Sequence, residues 1–215
     1  MTKKWIAPVA VAAMLVFALA VYPSLPARIP THWDMAGRPD GYSSRWVGAF
    51  VAPSVALLIW LALLGLRRVD PRKEHYARFE DTYRFFVNLI VLFLAVIQVL
   101  SLGFALGWPV DMGRAVLAAV GVLFMGLGNY MPRIRSNWWI GIRTPWTLES
   151  EAVWRKTHRL AGRALVGCGL LAAVAALLPF QGMRYVALGA LVLSALVPAV
   201  YSYFAWRQER LGGRA

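Results

Sequence analysis

Long apolar runs alternate with short polar segments along this chain of 215 residues. Each run reaches or approaches the roughly 20 residues with which an α-helix crosses the hydrocarbon core of a bilayer. Backbone amides find no water inside a bilayer, so runs of this length are expected to be helices. The runs cover approximately residues 5–22, 46–66, 85–107, 114–131, 162–180 and 185–205. The pattern predicts an all-α polytopic membrane protein with six transmembrane helices.

Composition supports a membrane protein, and the placement of charges predicts how the chain is oriented in the membrane. The chain is 60% hydrophobic and only 15% charged, which agrees with a membrane protein. Of its 23 Lys and Arg residues, 18 lie before the first run, in the segments 67–84 and 132–163, or after the last run. By the positive-inside rule both termini are cytoplasmic. Because topology explains most of the net charge of +13, we expect no direct nucleic-acid partner.

The first apolar run also has features of a secretory signal. Lys3 and Lys4 precede it, and Ala18-Leu19-Ala20 imitates a cleavage site. Because five further spans follow, we expect a signal-anchor helix that stays in place.

The first outer loop, residues 23–45, is rich in proline and glycine and is expected to be extended and turned. It contains turn signals around Gly37 and at Asp40-Gly41. An Asp-Gly pair between short aromatic-bearing stretches predicts a small hairpin.

The same loop carries a compact set of polar side chains. His32 and Asp34 form His-x-Asp, and Asp40 follows six residues later. These three side chains could converge on a metal ion if the loop folds back. Alternatively, the two aspartates cap turns and pair with arginines of the loop, while His32 packs at the headgroup level.

The first inner loop predicts an early start of the third helix. Asp70-Pro71 fits a helix cap followed by the first helical position, which places the start near residue 71. The pairs Glu74–Arg78 and Glu80–Arg84 have the favourable i,i+4 order for such a helix.

The interiors of the spans contain no Asp, Glu, Lys, Arg or His, which counts against an ion-coupled pump. We expect the few polar residues to form hydrogen bonds between helices. They are Asn88, Gln98, Ser101 and Ser194. Small residues recur every four positions on the fifth span and predict close helix packing: Ala164, Cys168, Ala172 and Ala176.

The inner loop, residues 128–163, is unusually dense in arginine and tryptophan. A short helix within it would place Trp154 and His158 on one face at i,i+4. This helix can be interpreted as amphipathic and lying at the membrane interface, or as part of a dedicated ligand site. Lipid attraction needs only charge and apolar area, whereas Gly141 and Pro145 set bends, so we expect a fixed fold.

Two stretches resemble a known family. The first resembles the C-terminal signature of the SdpI family of bacterial membrane proteins. It reads N-Y-x-P-x-I-R-x-N from Asn129, G-I-R-T-P-W-T-L from Gly141 and E-x-V-W-x-x-T-H-R-x-A-G from Glu151. The stretch L-P-x-R-I-P-T-H-W-D-x-x-G-x-P-D-G from Leu25 looks like the small domain of unknown function that commonly precedes that signature. With their flanking helices, the two resemblances cover nearly the whole chain.

The resemblance implies a six-helix, multi-pass protein of the bacterial cytoplasmic membrane. Residues 1–66 would form an N-terminal helix pair around the outer loop 23–45, and residues 67–215 a four-helix region with the inner signature loop 128–163. Members of the family are linked to immunity against a secreted toxin peptide and to holding a transcriptional regulator at the membrane. No catalytic residue comes with the resemblance, so we expect a non-enzymatic protein with no cofactor and no bound metal.

These expectations place a recognition surface on each side of the membrane. A toxin peptide or envelope component would meet the outer surface at His32, Asp34, Gly37 and Asp40. A regulator or membrane lipids would meet the inner surface at Asn129, Arg135, Asn137, Arg143, Pro145, Trp146, Trp154, His158 and Arg159.

The alternative is a transporter or lipid-handling protein. In it, Gln98 lines a path and anionic headgroups bind to Arg135, Arg143 and Arg159. A membrane-embedded enzyme would instead need a metal at the His32 cluster or at His158.

Overall fold

Six long helices form most of the structure. The computed structural model describes residues 4–34, 36–179 and 181–212. The six long helices are α1 (Ile6–Val21), α2 (Arg45–Val69), α3 (Glu80–Ala105), α4 (Met112–Tyr130), α6 (Glu151–Leu177) and α7 (Gln181–Gly212). A short helix, α5 (Pro145–Glu149), lies between α4 and α6. Strands β1 (Arg28–Trp33) and β2 (Pro39–Ser44) lie between α1 and α2. Short 3-10 turns cover Tyr22–Ser24, Lys73–Arg78 and Met131–Arg133.

The six predicted spans are confirmed. Six of the described helices are long and apolar enough to cross a membrane. The orientation of the termini remains a prediction, so we name the two ends of the bundle by their structure. The hairpin end carries β1, β2 and the connection from α3 to α4. The signature end carries residues 70–79 and the signature segment, defined as residues 128–163.

The fifth span begins well before its predicted position. The apolar run begins near residue 162, but α6 begins at Glu151. Ser150 caps the helix, since its hydroxyl accepts a hydrogen bond from the N–H of Val153 at 3.2 Å. The short interfacial helix expected in the signature segment is therefore the first part of a single long helix.

The third span begins later than predicted. Asp70 was expected to cap a helix starting near residue 71, but α3 begins at Glu80 after a 3-10 turn. Asp70 accepts a hydrogen bond from the N–H of Arg72 at 2.7 Å, which holds the chain in a tight turn. The predicted Glu80–Arg84 pair is present at 2.6 Å.

The predicted hairpin is confirmed, and of the two predicted turns it uses the one around Gly37. Strands β1 and β2 pair antiparallel, and Gly41 stands opposite His32 inside the ladder. The reversal lies around Gly37, which has φ +81°, a conformation that favours glycine. The N–H of Asp34 donates to the carbonyl of Arg38 at 2.8 Å and closes the turn. The prediction of a turn at Asp40-Gly41 was therefore wrong.

Two of the four interior polar side chains, Gln98 and Asn88, connect helices as expected, whereas Ser194 donates to the carbonyl of Leu191 in its own helix at 2.6 Å. Gln98 of α3 is buried, and its amide nitrogen donates to the carbonyl of Met14 on α1 at 3.1 Å and approaches that of Ala49 on α2 at 3.4 Å. Asn88 accepts a hydrogen bond from the N–H of Ala7 at 3.1 Å. These bonds fix α1 and α2 against α3. Gln98 is thus occupied in packing rather than lining a path.

Helices α4 and α6 touch through two pairs of glycines. A Cβ added to Gly121 would lie 2.6 Å from the carbonyl oxygen of Gly169, and one added to Gly128 would lie 2.7 Å from that of Gly162. Real side chains do not tolerate such distances, so the two backbones are in direct contact. This crossing brings the signature segment against the beginning of α6.

The predicted small-residue stripe lies beside this crossing. Ala172 and Ala176 are buried in a cluster with Leu117 and Leu191, and Cys168 is half-buried against the same cluster. The stripe therefore packs as expected, while the glycine pairs that allow the closest approach were not predicted.

Candidate functional site

The first half of the signature segment folds around the side chain of Asn137. This residue is fully buried, and its Oδ1 accepts hydrogen bonds from the N–H groups of Trp139 and Ile140, both at 2.8 Å. Its Nδ2 donates to the carbonyls of Arg135 at 2.9 Å and Ile140 at 3.1 Å. One amide thus satisfies four backbone groups that have no regular secondary structure.

Asp70 joins the 70–79 loop to the signature segment. Its carboxylate is buried, and Oδ2 accepts hydrogen bonds from the hydroxyl of Tyr76 at 2.8 Å and the N–H of Trp138 at 3.0 Å. This role was not predicted. Locally, Asp70-Pro71 matches a helix start, and its partner Trp138 is 68 residues away.

Tyr76 is one of the hydrogen-bond donors to the Asp70 carboxylate. Its hydroxyl donates to Asp70 and lies 3.4 Å from Oδ1 of Asn137. Burial, followed by the hydrogen bond to the Asp70 carboxylate, raises the pKa of Tyr76 above its ordinary value. The phenol therefore keeps its proton at physiological pH and continues to donate to the carboxylate.

Two basic residues of the same loop also bind the signature segment. Arg72 donates to the hydroxyl of Ser136 and to the carbonyl of Leu148, the latter at 2.7 Å. Nδ1 of His75 lies 2.7 Å from the carbonyl of Ser136. The 70–79 loop therefore holds the signature segment in place through hydrogen bonds at Ser136 and Leu148.

His158 holds the backbone that follows Gly141. Its Nε2 accepts a hydrogen bond from the N–H of Ile142 at 3.1 Å, and its Nδ1 lies 2.9 Å from the carbonyl of Trp154. A ring that accepts at Nε2 carries its proton on Nδ1, which donates to that carbonyl. Both ring nitrogens are occupied, so neither is free to bind a metal or act as a general base.

The rings of Trp154 and His158 lie on one face of α6, as predicted. They stack with centroids 4.0 Å apart, and both residues are buried. The indole N–H of Trp154 donates to the carbonyl of Ile134 at 2.8 Å. The pair therefore packs inside the protein, against the segment, and not against lipid.

Helix α5 docks on the end of α7. The hydroxyls of Thr144 and Ser202 lie 2.8 Å apart. Glu149 accepts hydrogen bonds from Nη2 of Arg210 at 2.5 Å and the indole N–H of Trp206 at 2.8 Å. The bond from Arg210 lowers the pKa of Glu149 below its ordinary value. The last turns of α7 are thus hydrogen-bonded to α5 and its cap at the signature end of the bundle.

The predicted inner-site residues fall into groups that differ in exposure. Asn137, Trp154 and His158 are buried and shape the segment. Trp146 is half-buried, with its ring edge-on to Tyr203 of α7 at 5.2 Å. The exposed members are Asn129, Arg135, Arg143, Pro145 and Arg159. A partner can reach the exposed group without unfolding the segment.

One of these exposed residues, Arg135, lines a basic groove. It has a volume of about 660 Å³ and is formed by the start of α3 and by residues 132–135. Four arginines line it against two acidic side chains, Glu80 and Asp81. The arginines are Arg78, Arg84, Arg133 and Arg135.

A second cavity, of about 290 Å³, lies at the hairpin end between β1, α4 and α7. We call it the hairpin pocket. Trp33 lines it from β1, Val116 and Leu117 from α4, and Leu188 and Arg184 from α7. Its wall is mainly apolar, with one buried arginine.

Two of the four predicted outer-site residues line this pocket, and the other two contact residues that line it. His32 and Asp34 line it, and Gly37 sits against the backbone of Gly113. The Nδ1 atom of His32 and Oδ1 of Asp40 are 2.5 Å apart, whereas Asp34 binds the N–H of Arg38 at 2.8 Å. Asp34 therefore caps the turn and pairs with Arg38. This agrees with the second interpretation of the loop, in which its aspartates cap turns and pair with arginines. Among described residues, no group of three or more His, Cys, Asp and Glu could hold a metal ion.

Arg184 was not predicted as a site residue, because the sequence showed only a charge beyond an apolar run. Its side chain is 8% exposed, and Nη2 lies 3.3 Å from Oδ2 of Asp111, at the start of α4. The carboxylate of Asp111 is shared with Arg114, whose Nε lies 3.2 Å from the same oxygen.

Comparisons with known proteins agree with the resemblance seen in the sequence. Residues 133–202 match the SdpI/YfhL protein family, and residues 9–57 match a domain of unknown function, DUF1648. The chain is 30% identical over 216 residues to "Immunity protein SdpI" of Bacillus subtilis (strain 168), a match that covers 100% of both chains. No solved structure matches it. With its six spans, this chain is a multi-pass cell-membrane protein that belongs to the SdpI/YfhL protein family.

Proposed function

We propose that this chain is an SdpI-like immunity protein that protects its cell against an envelope-active toxin peptide, or relays the presence of that peptide. The observation that carries the proposal is the full-length likeness to a protein named for immunity. The hairpin pocket supports it, because it offers a cavity for part of a peptide.

The proposal places the hairpin end outside the cell and the signature end inside. Most Lys and Arg residues belong to the signature end, which the positive-inside rule assigns to the cytoplasm. The protein would act by binding and not by catalysis, consistent with a His158 whose two nitrogens are both engaged.

Deleting the gene tests the proposal directly. The deletion strain and its parent would be exposed to culture supernatants of sibling strains and to a panel of envelope-active peptides. We expect the deletion strain to be killed at lower doses of at least one preparation, and the wild-type gene to restore resistance. Equal sensitivity to every preparation would contradict protection.

The relay form of the proposal assigns a regulator to the signature end. The exposed arginines Arg135, Arg143 and Arg159 would present positive charge to an acidic face of a cytoplasmic protein. Charge reversal at Arg159 should release such a protein from membranes without changing the amount of membrane-bound Arg159→Glu protein. An unchanged set of membrane-associated proteins would contradict this form.

A second candidate, handling of anionic lipids, is favoured by the basic groove. It predicts that anionic lipid purifies with the protein and is reduced in Arg135→Ala, a substitution within the groove. Arg207→Ala, which removes an exposed charge on α7, is the matched control. Mass spectrometry that finds no anionic lipid in purified wild-type protein would reject this candidate.

A further inference from the structure

Arg184 is a buried cation with unused hydrogen-bond donors. Its side chain is 8% exposed, and among described residues Nε and Nη1 have no hydrogen-bond partner. A buried charge is costly unless it is paired and its donors are satisfied. The guanidinium therefore has free capacity for an acceptor.

The carboxylate nearest to Arg184 does not supply that acceptor. Asp111 reaches only Nη2, at 3.3 Å, and its Oδ2 is also 3.2 Å from Nε of Arg114. Its Oδ1 caps α4 by accepting from the N–H of Arg114 at 3.0 Å. Two arginines thus share one carboxylate, and one positive charge remains unbalanced in this cluster.

The other acidic groups near the pocket have partners of their own. Asp34 binds the N–H of Arg38 and lies 3.6 Å from its Nε, and Asp40 pairs with His32 at 2.5 Å. Both carboxylates belong to the hairpin and stabilise its turn or its ladder. The unused charge at the pocket is therefore that of Arg184.

The pocket offers a second unused donor and an apolar wall. The indole Nε1 of Trp33 is buried without a partner among described residues, and Trp33 lines the same pocket. Val116, Leu117 and Leu188 supply apolar surface beside Arg184. A ligand that matches these groups combines a hydrogen-bond acceptor of negative charge with an apolar body.

We propose that the hairpin pocket binds a carboxylate that ends an apolar chain, and that this is the C-terminal carboxylate of an apolar peptide segment. The carboxylate would accept hydrogen bonds from Arg184, and the adjoining residue would lie against Leu188. A single negative charge balances the one excess positive charge of the Arg184–Arg114–Asp111 cluster, whereas a phosphate dianion would exceed it. The inference deepens the proposed function by naming the part of the peptide that is recognised.

The test measures binding of defined probes to the full-length protein in lipid nanodiscs. The probes are a short N-acetylated leucine–alanine peptide with a free C-terminal carboxylate, the same peptide with a C-terminal amide, and decanoate. Isothermal titration calorimetry gives the dissociation constants. We expect the peptide acid to bind about 10- to 100-fold more tightly than the amide, the range for a hydrogen bond to a charged group. Decanoate that binds as tightly as the peptide acid would reject the peptide as the source of the carboxylate.

Variants of the pocket identify the residue responsible. Arg184→Gln should lose the preference for acid over amide, and Arg184→Lys should restore part of it. Leu188→Trp, which fills the pocket, should weaken both peptides. Arg28→Gln is the matched control, because it removes an exposed charge at the same end of the bundle.

Equal binding of acid and amide by the wild-type protein, or no binding of either, would overturn the inference. An Arg184→Gln protein that is folded, as judged by circular dichroism, and keeps the acid preference would also overturn it. If Arg184→Gln does not fold, the acid–amide comparison and Leu188→Trp still decide the matter. These binding results are independent of toxin sensitivity, so immunity and carboxylate recognition can fail separately.

Discussion

At the scale of single residues, the signature segment depends on side chains that replace backbone partners. Asn137 binds N–H and carbonyl groups, and His158 binds one N–H group, of residues that form neither helix nor strand. A buried polar group that loses its partner costs about 1–3 kcal/mol. The buried motif residues of this segment therefore fix the shape of its backbone, and the backbone in turn positions the exposed arginines.

Removal of the Asn137 amide should unfold the first half of the segment. In Asn137→Ala, four backbone groups lose their partner, and we expect the free energy of unfolding to fall by about 2–4 kcal/mol. Unfolding by SDS in mixed micelles measures this change. Asn129→Ala, an exposed asparagine of the same segment, should change the free energy by less than about 0.5 kcal/mol. Equal stability of the two variants would contradict the role of Asn137.

Gly141 should tolerate no side chain. It has φ +102°, and a Cβ there would lie 2.4 Å from Nε2 of His158. Gly141→Ala should therefore destabilise the protein by about 2–4 kcal/mol, from backbone strain and from displacement of the ring. Gly107→Ala is the control, because Gly107 has φ +88° but open space around it, so only the backbone cost of about 1 kcal/mol applies. The same unfolding measurement should separate the two, and similar losses would argue against the steric contact.

At the scale of the elements, close helix approach and helix docking decide the architecture. The glycine pairs let α4 lie directly on α6, and one hydrogen bond from Gln98 holds α1 to α3. The end of α7 closes the signature end through Glu149.

Gly169→Val should force α4 and α6 apart. A Cβ at Gly169 would lie 2.6 Å from the carbonyl of Gly121, and the α4 backbone cannot move away cheaply. We expect a loss of about 1–3 kcal/mol in the free energy of unfolding. Gly167→Val on the same helix faces open space and is the matched control. A stable Gly169→Val protein with unchanged melting temperature would show that the helices are not held at this distance.

Docking of α5 on α7 should weaken in acid. The hydrogen bond from Arg210 favours the charged form of Glu149, so its pKa is lower in the folded protein than in the unfolded chain. The stability that the Glu149–Arg210 bond contributes is fully present above the pKa of Glu149 in the unfolded chain, about 4.3. It is lost as the pH falls through the lower pKa of Glu149 in the folded protein. Hydrogen exchange of the last turns of α7 should therefore increase in that range once intrinsic rates are corrected. Glu149→Gln should exchange faster at neutral pH and lose this acid dependence; a wild-type pattern in Glu149→Gln would contradict the assignment.

At the scale of the whole molecule, the spans could be predicted because hydrophobic length is a local property. The hairpin also followed from local signals, although its turn formed at Gly37 and not at Asp40-Gly41. The contact of Asp70 with the signature segment and the ion pair of Arg184 could not be predicted. Their partners, Trp138 and Asp111, lie 68 and 73 residues away in the chain, respectively. The sequence around Asp70 also matches a simple helix cap, which conceals its role.

The orientation of the whole bundle can be measured by cysteine labelling. In a Cys168→Ala background, Tyr42→Cys on the hairpin should react with a membrane-impermeant maleimide in intact cells. Arg155→Cys, at the signature end, should react only after the membrane is permeabilised. Both side chains are exposed in the structure, so accessibility to reagent depends on the side of the membrane. The reverse labelling pattern would invert the proposed orientation.

The contacts of the signature segment also imply an order of events during synthesis. The 70–79 loop leaves the ribosome before residues 136–148, so its donors and the Asp70 carboxylate are already present when Asn137 emerges. The partners of Ser150 and Glu149, which include Glu209 and Arg210, are made later, 59 and 61 residues further along the chain, respectively. Docking of α5 on α7 therefore waits until Glu209 and Arg210 have been made, so that a nascent chain keeps this part of the signature end undocked until then.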